Sequence, residues 1–315
     1  MAAPHSFAGR VLVTGANGSL GRALVQHLAA GGATVRALVR SEPAAATLRA
    51  LASPPELAIV DWSDAPGLAR AAAGCDAAVH LVGVLKETPT QRYADAHEGT
   101  ARALATAAKS GALRRIVYLS ILGADSKSPN ACLASKARAE AILLEAPLAT
   151  TVLRLPMVLG GDDPATWALR ARARSRVVPL VRGGASLEQP IDARDVLAAI
   201  AAALERPQLA GRVLDVAGPE SLARRDLVRR VAALLGNEPR IIPIPLALVR
   251  TFAALAERIT ASPPLSTAML DVLEHDDRID AKLACDALGI TLTPLDETLR
   301  RVVASGDGSD KGDSA

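Results

Sequence analysis

Aromatic residues are scarce in this chain: two Trp, two Tyr and two Phe among 315 residues. Proteins that stack single-stranded bases need platforms of such rings, so that class is excluded. Charge of one sign is also lacking. Lys and Arg number 36 against 33 Asp and Glu, and a net charge of +3 leaves no electrostatic footprint for nucleic acid. Cysteine is limited to Cys75, Cys132 and Cys285, with no C-x-x-C spacing. No disulfide framework or zinc site is expected, and the chain reads as a reduced, cytoplasmic protein. His5, His27, His80, His97 and His275 are scattered and imply no metal site. No apolar run is long enough to span a bilayer, because Pro and Arg interrupt the best stretch, Ile241 to Ile259. Met1 to Arg10 lacks the apolar centre of a signal peptide. At most, peripheral association with the inner face of a membrane is expected.

Half of the residues are hydrophobic, enough for a sizeable core in one large domain or two smaller ones. The most informative stretch is Val11-Leu-Val-Thr-Gly15-Ala-Asn17-Gly18-Ser19-Leu20-Gly21. An aliphatic strand runs into glycines spaced G-x-x-G-x-x-G, followed by helical residues from Arg22 to Ala30. Glycine lets backbone N–H groups approach a phosphate, and the positive end of the following helix favours its charge. A second strand over Thr34–Val39 completes a βαβ unit, the context that raises this turn above an ordinary one. Further strands are expected at Leu57–Val60, Ala77–Leu81, Ile116–Ser120 and Thr151–Leu155, with helices between them. The fold class is α/β, a doubly wound parallel Rossmann sheet with a smaller C-terminal α/β lobe. The expected division is approximate, with crossing of the chain between lobes left open: residues 1–205 for nucleotide binding, 206–302 for the smaller lobe and 303–315 for a disordered tail.

Ligands of such sheets bind at the carboxyl ends of the strands. An acidic residue after the second strand would take an adenosine ribose and select NAD. This chain has Arg36 in the strand and Arg40 after it, which suits the 2′-phosphate of NADP(H) better than NAD(H), with a solvated arginine as the alternative. Asp61 and Trp62 follow the third strand, where an Asp can reach an adenine amine; capping by Ser63 or Asp64 explains the neighbourhood equally. Leu81, Val82 and Gly83 follow the fourth strand, with a small residue where backbone would pass the cofactor; a plain turn glycine explains it nearly as well. Ser120 ends the fifth strand. The helix expected from Asn130 to Leu144 carries Cys132 and Lys136, four apart and so on one face.

The glycine turn, Ser120 and the helix with Lys136 resemble an extended or atypical short-chain dehydrogenase/reductase. The resemblance implies a catalytic set of a Ser, then a Tyr with a Lys four residues later, the Lys holding the nicotinamide ribose. Ser120 and Lys136 match, but Cys132 stands at the Tyr position, and neither Tyr93 nor Tyr118 has the spacing to replace it. A nearby ammonium could lower the thiol's pKa; a packed small hydrophobe is the simpler account.

The likeness extends through Arg115–Asp125, Ala149–Pro156 with Leu159–Asp163, Gln189–Val196, Asp215–Glu220 and Pro264–Asp276. These segments are similar to the branch containing the nucleotide-binding accessory subunit of respiratory complex I. That branch implies tight NADPH binding without turnover, and links to complex I, to quinone-biosynthesis proteins or to a quinone ligand. It also implies Pro156 beside the nicotinamide and Asp195 opening a helix near the site. The alternative is an NADPH-dependent oxidoreductase acting on a quinone or carbonyl compound.

Two other stretches stand out. Arg170 to Arg176 carries four arginines at alternate positions, which on a helix make one broad basic face; a solvated face is its simplest account, and contact with acidic lipid headgroups or an acidic partner surface is the other. The stretch Leu246–Ile259 is a mostly apolar helix. Core packing is its simplest account, and a quinone-lined pocket or a membrane-facing patch is the other.

Overall fold

The computed structural model describes residues 7–62, 64–109, 113–160, 162–260 and 262–304. The expected tail therefore lies outside the described residues from 305 onward, as does the candidate cap Ser63. Two compact units are formed. The first takes the described residues up to Leu155 together with 197–215 and 283–290; the second takes Pro156–Val196, Val216–Lys282 and the described residues from Thr291. Residues 156–196 fall in the second unit, because their short strands pair there.

The first unit is built on a seven-stranded parallel sheet. Its strands are β1 (Arg10–Thr14), β2 (Thr34–Val39), β3 (Glu56–Ile59), β4 (Ala77–His80), β5 (Arg115–Ile121), β6 (Ala149–Leu155) and β11 (Val213–Asp215), in the order β11-β6-β5-β4-β1-β2-β3. Helices α1 (Ser19–Ala30), α2 (Glu42–Arg49), α3 (Ala65–Ala72), α4 (Thr100–Lys109) and α5 (Ala131–Leu144) connect these strands. The central strands read as unbroken apolar runs because both faces are covered: Val11, Leu12 and Val13 in β1 and all four residues of β4 are buried. Leu12, Leu38, Leu104, Ile116, Tyr118, Leu143 and Val152 form the core on one side. The strand order reverses between β1 and β4, which creates the crevice where such sheets take ligands.

The second unit has three two-stranded sheets. β7 (Val158–Leu159) pairs with β10 (Ile191–Asp192), β8 (Val177–Val181) with β13 (Arg240–Ile244), and β9 (Leu187–Glu188) with β12 (Leu222–Ala223). Its helices are α6 (Pro164–Arg174), α8 (Arg224–Leu234), α9 (Leu246–Ile259), α10 (Thr267–Leu273) and α12 (Leu295–Ala304), while α7 (Ala193–Glu205) and α11 (Ala281–Leu288) continue into the first unit. Leu169, Val178, Leu180, Leu227, Val231 and Leu299 fill its core.

The Pro-rich stretch between Pro239 and Pro245 forms strand β13, which tolerates Pro243 because β8 is its one neighbour among the described residues. Two expectations are corrected here. The basic face of α6 is narrower than its sequence implies, since Arg170 turns inward and is buried. Helix α9 has the expected bounds but is no core helix: Ala253 is its only buried residue.

Candidate functional site

The turn after β1 contains two glycines that the protein's own packing requires and one that it does not. Gly15 has φ +70°, a left-handed conformation, and a Cβ there would press on the Leu81–Val82 backbone at 3.3 Å. A Cβ on Gly21 would come within 2.4 Å of the Gly15 carbonyl oxygen, so this glycine sets the close approach of α1 to the turn. Gly18 caps α1 in extended conformation, and a Cβ there would touch only the Gly15 carbonyl, at 3.4 Å. Its small size is left unexplained by internal contacts and leaves open the cradle at the helix N-terminus, where a phosphate fits. Asn17 is exposed, its carbonyl accepting from Arg22 Nη1 at 2.8 Å, and Ser19 and Leu20 are half-buried in the first turn.

At the carboxyl end of β2 the two arginines part company. Arg40 is exposed, and its guanidinium lies 3.9 Å from the centre of the Trp62 ring, which comes from the segment after β3. Arg36 is directed elsewhere. It pairs with Glu56 at 3.0 Å and donates to the carbonyls of Ala71 and Ala73, at the end of α3 that leads into β4. This is the amino edge of the sheet, so Arg36 is not brought together with the other site residues. Asp61 is exposed beside Trp62, and the α3 cap is Asp64, which accepts from Gly67 N.

The fifth strand and α5 bring Ser120, Cys132 and Lys136 into one neighbourhood. Asn130 starts α5 by accepting from the backbone N–H groups of Cys132 and Leu133. Buried Glu98 accepts from Ser135 and pairs with Arg102 and Arg138, and Glu140 pairs with Arg154 of β6. These networks fix the helix against the sheet and fix Lys136 with it. The Lys136 ammonium donates to the Leu119 carbonyl at 3.0 Å and lies 4.8 Å from the centre of the Tyr118 ring. Burial lowers its pKa to about 8, with Cys132 and Glu140 opposing the shift. A Cβ on Gly83 would sit 2.8 Å from this ammonium, so the glycine after β4 is what lets backbone pass. Leu81 is half-buried and Val82 buried beside it.

Ser120 is buried and its hydroxyl has no hydrogen-bond partner. Cys132 is 1% exposed, and its thiol contacts the Val84 carbonyl at 3.7 Å. The thiol is not activated by Lys136. Burial outweighs the ammonium and pushes it up to about 11. Pro156 is half-buried directly after β6, and Asp195 serves as a bracket within the second unit, accepting from the N–H and hydroxyl of Thr293.

Sequence reasoning passed over His80 and His97 as scattered. His97 Nε2 accepts from Val84 N at 3.0 Å, so its proton sits on Nδ1, which is buried without a partner. His80 bridges Thr14 and Thr100 at 2.6 and 3.2 Å, and the Thr100 hydroxyl donates to the Ala96 carbonyl, leaving His80 Nε2 as the donor. Burial lowers both imidazoles to about 3, so both are neutral. His97 comes from the helical segment that follows β4 and lies close to Lys136, both reaching the same side of Gly83. Among the described residues no cluster of His, Cys, Asp or Glu could hold a metal ion.

Residues 15–207 match the family model described as NAD(P)H-binding. The chain belongs to the NAD(P)H-binding family of extended short-chain dehydrogenases/reductases. The NAD(P)H-binding family match spans the turn, the fifth strand and α5 together. Among its relatives, mitochondrial NADH dehydrogenase [ubiquinone] 1 alpha subcomplex subunit 9 of Arabidopsis thaliana is 30% identical over 77% of this chain; the match spans 62% of that protein, under two thirds of its length. Ceramide reductase of Caulobacter vibrioides is 29% identical, covering 79% of this chain and 78% of that one. A 4-hydroxy-2-methyl-3-oxo-4-farnesyl-3,4-dihydroquinoline-1-oxide ketoreductase of Stigmatella aurantiaca is 30% identical, covering 79% and 80%. The crystal structure of gox2253 shares the fold with a TM-score of 0.75 at 23% identity, covering 94% of this chain and 97% of that one.

Proposed function

We propose that this chain binds NADP(H), in preference to NAD(H), at the carboxyl edge of the first unit's sheet. We propose further that it serves a structural or sensing role linked to complex I or quinone metabolism. In this reading Gly15, Asn17, Gly18, Ser19, Leu20 and Gly21 take the pyrophosphate. Arg40, stacked on Trp62, meets the 2′-phosphate, Asp61 lies at the adenine, and Leu81, Val82 and Gly83 line the path. Ser120, Lys136 and Pro156 flank the nicotinamide end. One observation carries the reading: the turn after β1 leaves Gly18 uncovered at the α1 N-terminus, while the position for a proton-donating phenol holds a buried thiol at about 11. A thiol ends one bond beyond Cβ, where a phenol would reach across a ring, so Cys132 cannot stand in the same place.

The same site supports a second reading, an NADPH-dependent reductase of a quinone or other lipophilic carbonyl compound. Its support is the unpartnered Ser120 hydroxyl beside buried Lys136, two groups able to polarise a carbonyl. Bound NADPH supplies the hydride. Three relatives carry names with a ubiquinone, a ceramide and a farnesylated quinoline.

Titration of the purified chain with NADPH and NADH, followed by oxidation assays with quinones and long-chain ketones, separates these. Tight NADPH binding without turnover, together with co-purification of complex I or quinone-biosynthesis proteins, supports the first reading. Turnover at ordinary enzymatic rates that is lost in Ser120→Ala and Lys136→Ala establishes the second. Absence of nucleotide binding refutes both.

A further inference from the structure

The outward residues of β8–β13 and one side of α9 are apolar where a monomer's surface is normally polar. In the β8–β13 pair Val178 and Leu180 point into the second unit's core, with Ile241 packed against them. The alternate residues face outward, and they include Val177, Pro179 and Ile242, all exposed. A strand with one solvated face alternates apolar with polar, and these two do not. Pro245 alone separates β13 from α9, whose residues Leu248, Phe252, Leu255 and Ile259 are 49, 63, 50 and 77% exposed. Their spacing of four, three and four places them on one side of the helix. The helix is held in this orientation rather than loosely attached. Ala253 is buried on its inner side, Arg250 pairs with Asp271, and Glu257 accepts from Thr267, both partners on α10.

The charge in these segments is mostly positive. Residues 174–182 and 238–260 hold Arg174, Arg176, Arg182, Arg240, Arg250 and Arg258 against Glu238 and Glu257 only. Arg176, Arg182, Arg240 and Arg258 make no ion pair among the described residues.

We propose that the β8–β13–α9 face docks on the surface of a lipid bilayer that carries anionic headgroups. The apolar stripe enters the headgroup boundary and the free arginines meet lipid phosphates. No helix of the described residues is long and apolar enough to cross a membrane, so the contact is interfacial. A second copy of the chain fits this face poorly: a two-fold contact would bring the same unpaired arginines together, and like charges repel. The proposal goes beyond the nucleotide reading and does not rest on it, since every residue it uses is in the second unit.

The test is co-sedimentation of the full chain with vesicles of phosphatidylcholine, with and without phosphatidylglycerol. Binding to the mixed vesicles, and clearly weaker binding to pure phosphatidylcholine, is expected. Phe252→Glu with Ile259→Glu should weaken partitioning roughly a hundredfold, about tenfold for each apolar side chain kept out of the bilayer. Arg182→Gln with Arg258→Gln should weaken it more than tenfold, about fivefold per charge. NADPH titration and thermal melting of each variant are run alongside, and both should match wild type. If the apolar pair melts early, the arginine pair decides. No sedimentation with mixed vesicles, equal sedimentation of wild type and the arginine pair, or equal binding to neutral and anionic vesicles overturns the proposal. So does a lipid-free dimer that the apolar pair dissolves, which would make a second copy the occupant. An intact NADPH affinity in any of these outcomes keeps the nucleotide reading separate.

Discussion

A methyl group on Gly83 would lie 2.8 Å from the ammonium of Lys136. The two residues come from different βα units, yet the room for one is set by the smallness of the other. Gly83→Ala therefore has to displace the ammonium from the Leu119 carbonyl, 3.0 Å away. If Lys136 holds the nucleotide, the substitution should weaken NADPH binding about tenfold, the cost of one charge-assisted hydrogen bond. Lys136→Met should do the same, and the double variant should be no worse than either single one. Fluorescence titration of the three variants checks this, and simple additivity would separate Gly83 from Lys136.

The three glycines of the turn should divide by mechanism. Gly15→Ala forces a side chain into φ +70° against the Leu81–Val82 backbone, and Gly21→Ala collides with the Gly15 carbonyl. Both should destabilise the fold by about 1–3 kcal/mol in denaturant melts. Gly18→Ala meets nothing closer than 3.4 Å in the protein itself. Its stability should stay within about 0.5 kcal/mol of wild type, while nucleotide affinity drops. Retained NADPH affinity in Gly18→Ala would remove the phosphate from this cradle.

Much of the first unit was legible in the sequence, because most of its parallel strands are short β-branched and aliphatic runs bounded by turn residues and alternating with helical stretches. The glycine turn, Ser120 and Lys136 could be placed because each closes or follows such a run. What stayed hidden depends on pairing at a distance. Arg36 reads like a nucleotide ligand until Glu56 and two carbonyls of the α3 end claim its guanidinium. His97 gives no sequence signal, since its partner Val84 lies across a loop. In the second unit β7, β9, β10 and β12 are two residues long, too short for any period to show, and β13 is disguised by its prolines. Helix α9 has an apolar pattern wide enough for a core, and only the exposure of its outer stripe shows that half of it is turned to solvent.

Cofactor choice should rest on Arg40 alone. Arg40→Ala removes the one arginine stacked at the β2 end, beside Trp62, and should cut NADPH affinity about tenfold or more while leaving NADH affinity nearly unchanged. Arg36→Ala should leave the ratio of the two affinities as it is and lower stability instead, since the Ala71 and Ala73 carbonyls lose their donor and Glu56 keeps only Arg10. Paired titrations with both nucleotides test this, and a ratio that follows Arg36 would reverse the assignment.

Stability should fall with acid earlier than carboxylates alone dictate. Burial lowers His80 and His97 from 6.5 to about 3, so below pH 6.5 the unfolded chain binds protons that the folded chain refuses. Stability is fully present above 6.5 and is lost as pH falls from 6.5 toward 3, by up to about 1.4 kcal/mol per pH unit for each histidine. His80→Gln should flatten the curve between pH 6 and about 4 relative to wild type, read as denaturant midpoints across pH. An unchanged slope would mean that His80 is not held neutral.

The sharpest contrast between a holder of NADPH and a reductase is Cys132→Tyr. The thiol is enclosed, 1% exposed, so a phenol must displace neighbours or reach into the space beside Ser120 and Lys136. Overpacking alone would cost about 1–3 kcal/mol of stability and give no activity. A phenol that reaches the site would add the missing proton donor beside an ammonium at about 8, and general acid catalysis is worth about 10²–10⁴-fold. If wild type binds NADPH without consuming it, Cys132→Tyr should raise carbonyl reduction by that order. Lys136→Met in the same background should return it to the wild-type level, because the phenol then has no ammonium to tune it. The gain should fade as pH rises through about 8, where Lys136 loses its charge. A wild-type rate already matching the Tyr variant would mean that proton delivery does not limit turnover, and would favour a reductase whose proton comes from another group at the site.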